Sequence, residues 1–143
     1  NGSAMTKIMI VDDSLRARRA LKALMSQQAG INVTAEAPNG QEAIQSINKQ
    51  KPDLVLMDIR MPVMDGLDAT KAIKARWPQI KIVLLTMYPE YQTEALAAGA
   101  DAFLMKGCSL EEITNLAQSF QGRETGYSLF IHDFHLVSIP PQI

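Results

Sequence analysis

Leu54-Val55-Leu56-Met57-Asp58-Ile59-Arg60-Met61-Pro62-Val63-Met64-Asp65-Gly66 sets a short apolar run directly against a carboxylate, then a loop of Pro62 and Asp65-Gly66. A run this short, rich in Leu, Val and Met and unbroken by polar residues, suits a strand covered on both faces, as in a parallel sheet. Pro62 and Asp65-Gly66 build a tight loop, which brings the backbone carbonyl near Arg60 within reach of whatever Asp58 faces.

Three other runs end the same way: Ile8–Val11 in Asp12 and Asp13, Ile82–Leu85 in Thr86, and Ala102–Met105 in Lys106. A fifth segment, Ile31–Ala37, alternates apolar and polar residues and suits an edge strand. Helical patterns separate the strands. Leu21, Leu24 and Met25 mark a first helix, from about Leu15 to Gln28. Asn39 with Glu42 opens a second, Leu67 to Ile73 marks a third, and Pro89 fits the first turn of a fourth that stops at Gly99. Ser109 with Glu112 forms a capping box for a fifth, striped by Ile113, Leu116, Ala117 and Phe120. Five β-α repeats with right-handed crossovers make a doubly wound α/β parallel sheet, helices on both faces. Ligands in such sheets sit beyond the carboxyl ends of the strands, where every polar residue named above would gather.

Three carboxylates, a hydroxyl and an ammonium suit one divalent cation and one phosphoryl group. A hard cation such as Mg²⁺ takes about six oxygens and keeps several waters. Two carboxylates, the carbonyl near Arg60, waters and a phosphoryl oxygen would supply them. Without a cation the carboxylates would repel one another, and at least one pKa would rise. Each residue has an ordinary alternative. Asp13 or Ser14 could cap the first helix, Thr86 could be a core threonine, and Lys106 could be a solvated lysine. Four complementary strand ends arising by chance is a poor account of the set.

Bulk properties narrow the class. At 143 residues, with net charge −1 and 47% hydrophobic residues, the chain has room for one domain and no basic excess for nucleic acid. The single cysteine, Cys108, excludes an internal disulfide and fits a reducing compartment. No apolar run approaches the roughly 18–20 residues that span a bilayer, and no leader is recognisable, so a soluble cytoplasmic domain without membrane association is expected. Residues 1–4 read as an expression scar, 5–123 as the domain, and 124–143 as a tail without helical period. That tail could be an extra strand or linker, a partner-binding arm, or non-native sequence. His132, Asp133 and His135 stand there at a helical metal spacing, in a segment too unpatterned to support a site. Cys108 lacks a histidine to activate it and is expected to be inert.

Taken together, Asp12-Asp13, Asn39-Gly40-x-Glu42-Ala43, Asp58-x-x-Met61-Pro62-x-Met64-Asp65-Gly66, Thr86, Gly99-Ala100-x-Ala102-Phe103 and Lys106 resemble bacterial response-regulator receiver domains over about Lys7–Gln121. The resemblance implies a flavodoxin-like fold, as in chemotaxis response regulators, with strand order 2-1-3-4-5. It implies that Asp58 accepts phosphate from a sensor histidine kinase. It further implies Mg²⁺ (or Mn²⁺) on Asp13 and Asp58 with Asp12 in support, Lys106 on the phosphoryl group, and Thr86 with Phe103 as the switch. Two features depart from the usual pattern: Gly107 stands where proline often follows the lysine, and Phe103 stands where tyrosine is common.

Leu104 to Ile113 looks most like the NarL/FixJ class, which usually precedes a helix-turn-helix domain. DNA contact and transcriptional control are therefore expected only through an output domain outside this sequence, and a homodimer would suit the class. Arg60 and Tyr88, each two residues beyond Asp58 and Thr86, are expected to slow hydrolysis of the phosphoryl group. Two other classes compete with the switch. A phosphatase with an Asp nucleophile typically has a second Asp where Arg60 stands, and a pseudo-receiver would not need the intact acidic set. A signalling switch, not a turnover enzyme, is the reading these residues favour.

Overall fold

The computed structural model describes residues 5–120 together with the backbone of 128–132 and 135–139. Five parallel strands, β1 (Thr6–Val11), β2 (Ile31–Ala37), β3 (Leu54–Asp58), β4 (Lys81–Thr86) and β5 (Ala102–Met105), alternate with five helices. These are α1 (Leu15–Ser26), α2 (Gly40–Lys49), α3 (Gly66–Arg76), α4 (Gln92–Ala98) and α5 (Leu110–Ser119). The parallel strands lie in the order β2-β1-β3-β4-β5, so the chain reverses direction across the sheet between β1 and β3. β2, the segment with alternating polarity, is the edge.

Strand residues alternate between two cores, as a pleated backbone demands. Met9, Val11, Val55, Met57, Ile82, Leu84 and Phe103 pack with Ala43, Ile47, Ala69, Ile73 and Ala95 of α2, α3 and α4. Ile8, Ile10, Leu54, Leu56, Val83, Ala102 and Leu104 pack with Met25 of α1 and Ile113, Leu116 and Ala117 of α5. Both faces are thus covered, which is why the central runs carry no polar residue before their ends.

The helix starts are chemically fixed. Ser14, Asn39, Asp65 and Ser109 each accept a backbone N–H of the first turn, and Ser109 with Glu112 completes the capping box. The fourth helical segment differs from expectation. Pro89–Tyr91 forms a separate 3₁₀ turn, and α4 proper starts at Gln92.

The sheet is also wider than five strands. β6 (Ser128–His132) pairs parallel to β5 at Ala102↔Leu129 and Phe103↔Phe130, and β7 (His135–Ile139) pairs antiparallel to β6. The open edge of β5 offers unpaired backbone groups, and the tail supplies partners for them. His132 and His135 oppose each other across the β6–β7 pairing and not along a helix. Asp133 and the side chains of this segment lie outside the described residues, as do residues 1–4.

Candidate functional site

β1 and β3 are neighbours, so Asp12 and Asp58 leave the sheet side by side at the point where the chain reverses direction. Both are largely buried, 9% exposed each, whereas Asp13 is exposed at the rim. One ligand oxygen from each of Asp12, Asp13 and Asp58 can be chosen so that all lie within 4.8 Å of one another. Ser14, not Asp13, caps α1, accepting the Ala17 N–H at 3.1 Å. Asp13 is therefore not consumed by the structural role it could have played.

Lys106 reaches the cluster from the far side of β4. Its backbone N–H donates to the Thr86 carbonyl at 2.7 Å. Its Nζ then donates to Asp58 Oδ2 at 2.8 Å and to Asp12 Oδ2 at 3.1 Å. Gly107, with φ of +92°, and the Cys108 N–H donating to Met105 O form the turn that follows. Glycine accommodates that backbone conformation without strain. Among the described residues no peptide bond is cis, so this turn is built without the proline common elsewhere.

The electrostatics follow from burial. Desolvation raises the Asp58 carboxyl above its ordinary value and Asp12 adds to this, while the Lys106 ammonium pulls downward without cancelling it. Repulsion between carboxylates is thus a minor cause of the rise expected from the sequence; burial is the major one. Burial also presses on Lys106, but the hydrogen bonds to Asp58 and Asp12 outweigh it and raise its pKa, keeping the ammonium charged. Burial pushes the Cys108 thiol up to about 11, which leaves it unreactive near neutrality.

The loop after Asp58 is held by main-chain bonds. The Gly66 N–H donates to Ile59 O at 2.7 Å and the Gly40 N–H to Met64 O at 3.0 Å. A Cβ on residue 66 would collide with the Asp58 carbonyl and come within 2.9 Å of Ile59 Cα, so only glycine fits there. Val63 has φ of +69°, and the Met64 N–H donates to Pro62 O across it at 2.7 Å. That is the strained γ-turn geometry.

Thr86 is 1% exposed, and its Oγ1 accepts the Tyr88 N–H at 3.1 Å. Phe103 is completely buried in the core on the α4 side, in register with Leu84, two residues before Thr86. Arg60 and Tyr88 meet: the guanidinium lies 5.2 Å from the Tyr88 ring centroid, and Tyr88 stands edge-on to Tyr91 at 6.2 Å. Arg18 went unnoticed in the sequence. Its Nη1 donates to the Asp12 carbonyl at 2.7 Å, and its Nε lies 3.4 Å from Glu36 Oε1 of β2. The available signal was its place in the first turns of α1, because helical side chains lean toward the N-terminus.

Many known proteins are similar to this chain in sequence and fold. The response regulator receiver domain family matches residues 8–118. The transcriptional regulatory protein LnrK of Bacillus subtilis is 40% identical over 111 residues, 76% of this chain and 50% of its own length. The response regulator protein VraR of Staphylococcus aureus is 38% identical over 126 residues, 87% of this chain and 59% of its own. The chain thus spans between half and three-fifths of these relatives. The crystal structure of a LuxR-family DNA-binding response regulator from Staphylococcus aureus superposes with a TM-score of 0.76 at 28% identity. It covers 81% of this chain and 98% of that one. No helix among the described residues is long and apolar enough to cross a membrane. With a matched span of this extent and relatives this similar, the chain belongs to the response regulator receiver domain family.

Proposed function

We propose that Asp58 accepts a phosphoryl group from the phosphohistidine of a sensor kinase, with residues 5–123 as the switching unit and 124–143 as an appended segment. The observation that carries this reading is Lys106 Nζ bridging Asp12 and Asp58 beside the three clustered carboxylates. A carboxylate oxygen of Asp58 forms the bond to phosphorus as the donor's N–P bond breaks, and the departing imidazole takes up a proton from solvent. Asp58 must be ionised to attack, and Lys106 opposes the burial that favours its protonated form. Once phosphorylated, Asp58 no longer carries its own charge, and Lys106 is placed to pair with the phosphoryl oxygens instead.

The donor set fits a hard divalent ion: oxygen ligands only, three carboxylates against one ammonium, and Asp13 open to solvent. Asp13 and Asp58 would hold Mg²⁺ or Mn²⁺, with Asp12 in support and the Arg60 carbonyl as a further ligand. The ion, when bound, neutralises charge on the phosphoryl oxygens.

Thr86 and Phe103 act as the switch. The Phe103 ring already lies inward, so phosphorylation acts by holding that arrangement through Thr86 rather than by creating the space. Arg60 stacked on Tyr88 forms a cover that slows attack of water on the acyl phosphate. Replacing both with Ala shortens the phosphoryl lifetime, and an unchanged decay rate would remove them from the account. The chain is a switch, phosphorylated once per cycle, and not a turnover enzyme. In the full-length protein, transcription is controlled through a helix-turn-helix domain that contacts DNA, in the cytoplasm, with homodimers as the active form. The relatives named above, a transcriptional regulatory protein and a DNA-binding response regulator, support the transcriptional part of that extension.

Incubation with Mg²⁺ and acetyl phosphate, followed by intact mass, tests the central claim. Wild type gains one phosphoryl group and Asp58→Ala gains none. Absence of the gain in wild type would mark a pseudo-receiver.

A further inference from the structure

The Asp12 backbone is bonded at both ends. Its N–H donates to Ala37 O at 3.1 Å, and its carbonyl accepts Arg18 Nη1 at 2.7 Å. That carbonyl belongs to the peptide joining Asp12 to Asp13. Because the peptide is planar, fixing its oxygen fixes the plane, and with it the direction in which Asp13 departs. A rotation of this plane would swing one carboxylate of the cluster away from the other two.

Arg18 is itself anchored. The hold is ionic: its side chain is 13% exposed, and its buried Nε lies 3.4 Å from Glu36 Oε1 without forming a hydrogen bond, while Lys22 Nζ donates to Glu36 Oε2 at 3.2 Å. α1 and the edge strand β2 thereby grip the turn between Asp12 and Asp13 from outside the carboxylate cluster. We infer that Arg18 is a positioning residue for the divalent-cation site, acting through the Asp12–Asp13 peptide and oriented by Glu36. The inference rests on the reading of Asp12, Asp13 and Asp58 as that site.

Charge and position make opposite demands on Arg18, and this makes the role testable. As a cation near a cation site, Arg18 opposes metal binding, so its removal should tighten binding if only charge mattered. As the holder of the peptide plane, it favours binding, so its removal should weaken it. The experiment is calorimetric titration of unphosphorylated protein with Mn²⁺, alongside thermal unfolding of each variant. Arg18→Met weakens Mn²⁺ binding by about tenfold, the scale on which partners that orient metal ligands act. Arg18→Lys, which retains a donor for the carbonyl, recovers part of the loss. Arg19→Met removes a positive charge from the exposed side of the same helix, outside the network of Arg18, Glu36 and Lys22, and binds as tightly as wild type or slightly tighter.

Unchanged or tighter binding in Arg18→Met, whatever its unfolding temperature, overturns the inference. If Arg18→Met fails to fold, Arg18→Ala, which removes the same donor without an apolar chain in its place, decides: affinity equal to wild type with a lowered unfolding temperature reduces Arg18 to a structural residue. If wild type itself binds no Mn²⁺, the reading of the site fails, and the role assigned to Arg18 fails with it.

Discussion

The two edges of the sheet each carry a lysine–aspartate cluster, and they are closed differently. At the amino-terminal edge, Lys74 Nζ donates to Asp101 Oδ2 at 2.9 Å and to the carbonyls of Pro78 and Ile80 at 3.0 Å each. Asp101 also accepts the Ile82 N–H and faces Lys81 at 3.9 Å. An ammonium has three donors, and all three are used there. At the carboxyl-terminal edge one ammonium, Lys106, divides itself between Asp12 and Asp58, with Asp13 also in the cluster. The same residue types thus make a clamp in one place and an incompletely neutralised site in the other. The difference lies in the ratio of charges and the share of partners taken from backbone.

Exchanging the damage between the two edges breaks or sustains that contrast most sharply. Lys106→Met should slow phosphorylation of Asp58 by acetyl phosphate on the order of 10³-fold, the scale for removing one group that stabilises transferring charge. Its cost in stability should stay within about 1 kcal/mol, since the lysine is partly exposed and its partners can take up protons or cations. Lys74→Met should do the reverse. It strips donors from two carbonyls and a carboxylate, costing about 2–3 kcal/mol in urea unfolding, and leaves the phosphorylation rate unchanged. A rate loss in Lys74→Met at temperatures where it is folded would show that the clamp belongs to the site.

Gly66→Ala tests the loop that carries the site. Its methyl would strike the Asp58 carbonyl and the Ile59 backbone, neither of which can move without shifting β3. We expect a loss of about 3 kcal/mol, at the upper end for overpacking, together with loss of phosphorylation, because the atom displaced belongs to the acceptor residue. A variant that remains fully stable would mean that the loop yields easily.

A shift with pH separates the clusters without removing a side chain from the acceptor. Burial raises the Asp58 pKa, so on acidification its reactive, ionised form is lost at a higher pH than an ordinary carboxylate would lose it. Lys106 lowers that pKa, so in metal-free protein Lys106→Met should move the Asp58 titration further up in pH, and Lys74→Met should leave it in place. The titration is read from the Asp58 side-chain carboxyl resonance against pH, with divalent ions removed.

Sequence legibility tracks how local the cause is. The runs before Asp12, Asp58, Thr86 and Lys106 could be recognised as buried parallel strands because two covered faces demand continuous apolar residues. Asn39 with Glu42 and Ser109 with Glu112 could be recognised because capping acts within one turn. The partners of Lys106 could not. It stands 94 residues from Asp12 and 48 from Asp58, and only the folded sheet shows that its ammonium bridges both. Arg18 was missed for a related reason: its partner is a backbone carbonyl, so only its place in the first turns of α1 hinted at the contact. The strands β6 and β7 depend on a free edge of β5, a property of the sheet and not of the tail.

Strain is also distributed unequally between the edges. Val63 is the non-glycine residue with positive φ among those described, and it lies in the loop beside Asp58. A β-branched residue held in a γ-turn costs of order 1–3 kcal/mol. Glycine would remove that cost while loosening the unfolded chain by up to about 1 kcal/mol. The net expectation for Val63→Gly is therefore a gain of about 1 kcal/mol in unfolding free energy. The side chain is 75% exposed, so little packing is lost in exchange. If the strain only tolerates the loop closure set by Gly66 and Gly40, the phosphorylation rate stays at the wild-type value. If the rate falls as stability rises, the strain is part of how the loop presents Asp58, and the carboxyl-terminal edge holds mechanical as well as electrostatic tension.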